Sequence, residues 1–341
     1  MLNFNAIMVL CQRKFAIENA LQFKLYYQIK RTYDILIKMK RGGTYMKEER
    51  LKILEMLEQG KINADEAGQL LEQFKSQSNE GSFFDWIKSG IAAINGYRHQ
   101  VEFESNPAGN GIKAINMYGK NANVSAKVYG GSTLKIKCEY VSKTEDAQIT
   151  FLEDDGVCEL SYNDNEIKSL AIKCYVPETF VETVNLTTSN GRVTTEGINC
   201  DKLRVGTTNG RIKIEKTTAK TAEVETTNGA IKLERVAIAD ADLHTTNGGI
   251  SVEDFDAWQQ EYHLKARTTN GGIVVELPAE TGIKLDAKTT NGGIHCNSIQ
   301  EQNTKGYVGK VIRGQNQLYD SAAQKITLEL STTNGGIKVV D

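Results

Sequence analysis

The tetrapeptide Thr-Thr-Asn-Gly, with close variants, punctuates the second half of this chain at a nearly constant interval. Its Asn-Gly pairs stand at Asn190-Gly191, Asn209-Gly210, Asn228-Gly229, Asn247-Gly248, Asn270-Gly271, Asn291-Gly292 and Asn334-Gly335, spaced 19, 19, 19, 23, 21 and 43 residues apart. A period near 20 is too short for a domain and suits one coil of a solenoid. The 43-residue interval reads as two periods with one degenerate turn between them. Three positions after each asparagine stand Val193, Ile212, Ile231, Ile250, Ile273, Ile294 and Ile337; four before it stand Leu186, Val205, Val224, Leu243, Ala266, Ala287 and Leu330. The positions between are mostly charged or hydroxylated, and such alternation marks strands with one buried face.

Two architectures use a strand–turn–strand unit of this kind. In an antiparallel meander or sandwich, Asn-Gly closes a tight hairpin, because both residues tolerate positive φ. In a β-solenoid the same pair turns a corner and equivalent residues stack about 4.8 Å apart. Stacked asparagines then hydrogen-bond along the ladder. Hairpins tolerate unequal spacing and solenoids do not, so three identical intervals favour a mainly β fold, a β-solenoid of about 20-residue repeats, preceded by a small helical hairpin.

The chain of 341 residues carries a net charge of −2, which gives no electrostatic case for nucleic acid. Its 30 glycines and 3 prolines suit a turn-rich β fold. No run of about 18 apolar residues predicts a membrane span. Six cysteines (Cys11, Cys138, Cys158, Cys174, Cys200, Cys296) form no CxxC pair and read as buried free thiols in a reducing compartment. The apolar stretch near the N-terminus is short and is followed, not preceded, by basic residues, so the expected location is cytoplasmic or peripheral to the membrane.

Four segments are expected. Residues 1–45 lack period and caps, and Lys40-Arg41-Gly42-Gly43 back-translates to a purine-rich stretch just ahead of Met46, so this segment reads as upstream sequence translated in frame. Residues 46–76 form a helical hairpin: Leu51, Leu54 and Leu57 share a face, Gly60 ends the first helix, and Asn63 with Glu66 caps the second. The hairpin is too small to hold a core alone and is expected to bind a protein partner or self-associate. Residues 77–100 hold a linker and an amphipathic helix with Phe83, Phe84, Ile87 and Ile91 in a stripe beside Trp86. That helix either caps an open solenoid end or lies on a membrane or partner surface. Residues 101–341 form the β-repeat domain, with 101–177 as irregular first rungs.

Catalytic signatures are not found: the sequence has no phosphate loop, no HExxH and no GxSxG. No catalytic, cofactor-binding or metal-binding residue is assigned, and His244 and His295 read as solvated surface side chains. The sharpest constellation is Glu196, Glu215, Glu234, Glu253 and Glu276, each five residues after the repeat glycine. Stacked, they form a column of like charges that needs counter-charge, for which Lys213, Lys232, Lys216 and Arg235 are placed. The column is either self-neutralised or a docking strip for cations or a basic peptide. Trp258, in the insertion of the 23-residue repeat, is a further candidate contact, with loop packing as the alternative.

The repeats, TTSNGRV, TTNGRIKIE and TTNGGIKVV, following a Val176-Pro177 strand, resemble the putative-adhesin β-strand-repeat family of bacteria. The head, KEERLKILEMLEQGKINADEAGQLLEQF, resembles the short helical-hairpin (SHOCT-like) domain that opens the YvlB/LiaX-like proteins of Gram-positive bacteria. The resemblance spans 46–341 and carries no catalytic residues. It implies a non-enzymatic protein of the cell envelope, acting in responses to envelope stress or antimicrobial peptides. Adhesin or carbohydrate-binding activity is the alternative. A polysaccharide lyase or hydrolase would need clustered acidic and basic residues in a groove, whereas the sequence offers regular columns.

Overall fold

The structure, a computed structural model, describes residues 96–105, 111–255, 261–299 and 309–341, together with Ile53, Met56, Ile62, Glu66 and Ala67. Two compact units divide at Gly96. In the first, Ile53 and Met56 are helical, as are Glu66 and Ala67, and the Ile62 amide donates to the Met56 carbonyl at 3.4 Å. Ile53, Ile62 and Ala67 are buried. The expectations for residues 1–45 and for the stripe Phe83, Phe84, Trp86, Ile87 and Ile91 lie outside the described residues.

The second unit is a solenoid of two facing sheets, each with 11 strands. Each regular coil is a long strand, an Asn-Gly corner and a short strand. The pairs are β8 (Val181–Asn190) with β9 (Val193–Glu196), β10 (Asn199–Asn209) with β11 (Ile212–Glu215), and β12 (Thr218–Thr226) with β13 (Ile231–Glu234). They continue with β14 (Ala237–Asn247) and β15 (Ile250–Glu253), then β16 (Glu261–Asn270) and β17 (Ile273–Glu276). Long strands pair in parallel in one sheet and short strands in the other, with asparagine facing asparagine where the register reaches the corner. The meander is thus excluded. No corner asparagine among the described residues has the positive φ that a tight hairpin turn requires.

Three interactions explain the tetrapeptide. The first threonine points inward and its hydroxyl donates to the glycine carbonyl of the preceding rung: Thr207 to Gly191 at 3.0 Å, Thr226 to Gly210 at 3.1 Å, Thr245 to Gly229 at 2.9 Å and Thr268 to Gly248 at 2.9 Å. The asparagine side chain donates from Nδ2 to Oδ1 of the asparagine one rung back, at 2.7–2.8 Å throughout. The glycine is required because a Cβ at Gly229 would stand 1.7 Å from the Gly210 carbonyl oxygen.

The ladder begins one rung earlier than the sequence reading placed it. Asn121 accepts from Asn190 at 2.8 Å and closes an unrecognised coil of β2 (Ala114–Gly119) and β3 (Ala122–Tyr129). Five further strands lie here: β1 (Tyr97–Ser105), which begins four residues ahead of the expected boundary at 101, β4 (Leu134–Ser142), β5 (Ile149–Asp154), β6 (Val157–Tyr162) and β7 (Ile167–Pro177). β6 and β7 pair in parallel outside β2 and β3, while β1, β4 and β5 run antiparallel at the end. Phe103 of β1 stacks on Phe151 of β5 at 5.7 Å and joins the two edges.

The far end corrects the reading of the 43-residue interval. Among the described residues no degenerate coil is stacked in sequence between Asn291 and Asn334. β18 (Gly282–Asn291) and β19 (Ile294–Cys296) lie one rung beyond their expected place, and β20 (Lys310–Gln315) runs antiparallel along β18. The last coil, β21 (Lys325–Asn334) and β22 (Ile337–Val340), fills the gap between β16–β17 and β18–β19.

A direct comparison tests the corner. Gly229→Ala is expected to cost about 3 kcal/mol or more, because the clash is with backbone. Gly249→Ala, whose Cβ would meet nothing nearer than Gly272 O at 3.4 Å, should cost under about 1 kcal/mol. Asn228→Ala, which loses one donated and one accepted bond, should fall between them at about 1–2 kcal/mol. Thermal unfolding of the three variants reads the order; equal losses for the two glycines would refute close stacking.

Candidate interaction surface

The regular coils bring the predicted glutamates into one column. Glu196, Glu215, Glu234 and Glu253 pair strand to strand in register on the outer face of the short-strand sheet. Glu276 ends the series opposite Val340 of β22. Counter-charge interleaves the column: Lys213 bridges Glu215 at 2.9 Å and Glu234 at 3.4 Å, and Lys232 bridges Glu234 at 3.7 Å and Glu253 at 2.8 Å. Lys127 of β3 holds Glu196 at 2.8 Å.

A corner column that the sequence did not reveal completes the network. After the short strands β9, β11, β13 and β15 the chain turns through Gly197, Lys216, Arg235 and Asp254, all in the left-handed region, with φ of 76°, 48°, 52° and 50°. That conformation costs a residue with a side chain about 1 kcal/mol or more. It is held by the ladder, since the amides of Lys216 and Arg235 donate to the carbonyls of Glu234 and Glu253 at 3.0 and 3.1 Å. It also returns the basic side chains to the column, with Lys216 3.9 Å from Glu196 and Arg235 3.4 Å from Glu215.

The electrostatics follow these contacts. A hydrogen bond from Lys127 holds the Glu196 carboxyl below the usual carboxylate range, and Lys232, then Ser251, do the same for Glu253. Lys127, Lys213 and Lys232 are raised above the usual lysine range by Glu196, Glu215 and Glu253 respectively.

The outer face of the long-strand sheet is also cross-linked by hydrogen bonds and ion pairs. His263 contacts Asp240 at 3.2 Å and Glu329 at 3.4 Å, Arg267 reaches Asp242 at 3.1 Å, and Arg313 reaches Asp286 at 3.0 Å. Two shallow hollows interrupt the surface. One of about 200 Å³ lies among Arg267, Asp286, Lys288 and Ser331, and one of about 360 Å³ between Ile112, the Gly130–Ser132 turn and Glu178. Among the described residues no group of three His, Cys, Asp or Glu side chains is arranged to hold a metal ion. His244 faces outward but is half-buried, and its Nδ1 is enclosed without a partner. His295 is exposed. Burial pushes the thiols up, Cys158 to about 11 and Cys138 and Cys200 to about 12, with Cys174 raised further, so these cysteines are core fillers. Trp258 lies outside the described residues.

The Toastrack DUF4097 family matches residues 120–340 and a SHOCT-like domain matches residues 48–79. The chain belongs to the Toastrack DUF4097 family. Among solved structures, this Toastrack chain is similar to a putative cell adhesion protein from Clostridium sporogenes at 15% identity, covering 71% of this chain and 99% of that one, with a TM-score of 0.34. A putative adhesin from Bacteroides fragilis shares 16% identity, with 71% and 97% covered and a TM-score of 0.36. A putative lipid binding protein from Parabacteroides distasonis shares 14%, with 72% and 98% covered and a TM-score of 0.36. The chain has no match among curated proteins.

The ion-pair column predicts a pH profile. A carboxylate with a lowered folded pKa stabilises fully above its unfolded value, about 4.3, and loses that contribution as pH falls further. A lysine with a raised folded pKa stabilises below about 10.4 and loses its contribution as pH rises through the folded value. The melting temperature should therefore be flat near neutrality and fall at both extremes, with a shallower acid limb in Glu253→Gln. Exposed ion pairs contribute little to stability, so the variant should lose only a few degrees at pH 7. An acid limb unchanged in Glu253→Gln would remove Glu253 from the network.

Proposed function

We propose that this Toastrack protein is a non-enzymatic β-repeat scaffold of the bacterial cell envelope, acting in the response to envelope stress or antimicrobial peptides. The observation that carries this reading is the compensation of its charged columns rung by rung. Along the short-strand column acidic and basic groups neutralise their neighbours, and none of them lines either hollow. Such a body offers length and regularity: its corner ladder of eight asparagines, from Asn121 to Asn291, spans roughly 34 Å at the usual strand spacing. The SHOCT-like head, which matches residues 48–79, is the proposed module for a protein partner or for self-association. The column from Glu196 to Glu276 is the proposed docking strip for a basic peptide, whose lysines would displace Lys213 and Lys232 from their carboxylates. The working location is the cytoplasmic side of the envelope, peripheral to the membrane.

A second reading, glycan binding, is favoured by the corner itself. Thr208, Asn209, Thr227 and Asn228 form an exposed, uncharged strip of hydroxyl and amide groups, chemistry that suits sugar hydroxyls.

Fractionation of the native host, with detection of the protein in cytosol, membrane and medium before and after a membrane-active peptide, tests the first reading. Recruitment to the membrane fraction on treatment is the expected result. An unchanged cytosolic protein would overturn it. Selective retention on a glycan array, lost in a variant with Asn209→Ala and Asn228→Ala that still folds, would favour the second.

A further inference from the structure

We propose that the β21–β22 rung is exchangeable between two copies of this chain, the slot between β16–β17 and β18–β19 of one copy accepting the rung of the other. The slot is defined on both sides in one register. Leu264, Leu328 and Leu285 stand in line across it, as do Ala266, Leu330 and Ala287, then Thr268, Thr332 and Thr289, then Asn270, Asn334 and Asn291. The rung fills the slot with bonds on both sides. Thr332 donates to the Gly271 carbonyl and Thr289 to the Gly335 carbonyl, both at 2.9 Å, while Asn334 donates to Asn270 and Asn291 donates to Asn334, both at 2.8 Å.

Two features suit this slot to a second copy of the same rung. The first is steric. Leu330 is fully buried between Ala266 and Ala287, so a solenoid that closed over the empty slot would set alanine against alanine and leave the volume of the leucine side chain unfilled. Closing an emptied slot would therefore leave this row underfilled, a defect that a second copy of the rung removes. The second is the hinge. Residues 316–324 connect β20 to β21; one buried side chain closes their start, and the Gly282 amide, donating to the Gln324 carbonyl at 2.9 Å, closes their end. Asn316 Oδ1 accepts from the Ile283 amide and its Nδ2 donates to the Thr281 carbonyl, both at 2.9 Å, while its own amide donates to the Ile283 carbonyl at 2.9 Å. Exchange of an identical element about a hinge loop is a low-cost route to a dimer. Opened, nine residues reach up to about 30 Å, enough to carry the rung to a neighbouring molecule. The exchanged rung remakes every ladder bond of the closed form, so protein concentration sets the balance between monomer and dimer.

The test uses the full chain with Cys11→Ser as background. Arg267 of β16 and Ser331 of β21 face each other in register, within the range a disulfide spans. Protein carrying only Arg267→Cys is refolded together with protein carrying only Ser331→Cys, then oxidised and mapped by peptide mass spectrometry. A 267–331 link between chains in excess of 267–267 and 331–331 links reports the rung of one copy in the slot of the other. Exchange predicts that this heterodimer exceeds the two homodimers, rises at least several-fold between dilute and concentrated refolding, and rises again with Asn316→Ala in both chains. A heterodimer no more abundant than the homodimers at every concentration would overturn the proposal. The chain carrying both cysteines, refolded dilute, reports the native pairing as an intrachain link.

Discussion

Everything in the solenoid depends on how closely one glycine corner sits over the next. The missing Cβ of each corner glycine points at the carbonyl of the rung before it: Gly191 at Ala122, Gly210 at Gly191, Gly229 at Gly210, and so on through Gly271, Gly335 and Gly292, at 1.7–2.0 Å. That approach brings the rungs near enough for asparagine amides to bond in an unbroken series and for the inner threonines to reach the same carbonyls. Ala122 stands at the head of the series and is not glycine. Its rung has as outer neighbour β6 and β7, which join through Asn163–Glu166 without an Asn-Gly pair. The contact therefore has a direction, and the direction sets which positions require glycine.

Once the corners are fixed, the rest of each coil follows by arithmetic. Nineteen residues per turn put Ile212 over Val193 and Glu215 over Glu196, so core and charged column arise from the same register. Like charges stacked at strand spacing would oppose the fold, and Lys213 and Lys232, two positions before their own glutamates, answer them. The strained left-handed residues Lys216 and Arg235 add to this network, because a corner that bends there sends the side chain back over the glutamate of the rung below.

The sequence carried the period, the buried rows and the column from Glu196 to Glu253, since each is a consequence of repetition and repetition is visible in one dimension. It hid three things for physical reasons. Asn121 is followed by alanine, so the β2–β3 coil lacked the Asn-Gly mark. The left-handed corner column has no residue signature, being Gly, Lys, Arg and Asp in turn. The skipped rung was invisible because every coil presents the same register, so the pattern says which residues align but not which coil lies beside which. The aromatic candidates Phe83, Phe84, Trp86 and Trp258 lie outside the described residues.

A faint record of rung order does survive in side-chain volume. Four positions before the corner asparagine, the coils read Leu186, Val205, Val224, Leu243, Ala266, Ala287 and Leu330 in sequence, which places two small residues together and then a large one. In space the order is Ala266, Leu330, Ala287, and the large residue is shared between two small ones. Packing at interior density disfavours two adjacent alanines in a row otherwise filled by leucine and valine. In a repeat protein whose ladder hydrogen bonds are alike from rung to rung, the ladder does not distinguish the orders, and side-chain volume in this row is one property that does.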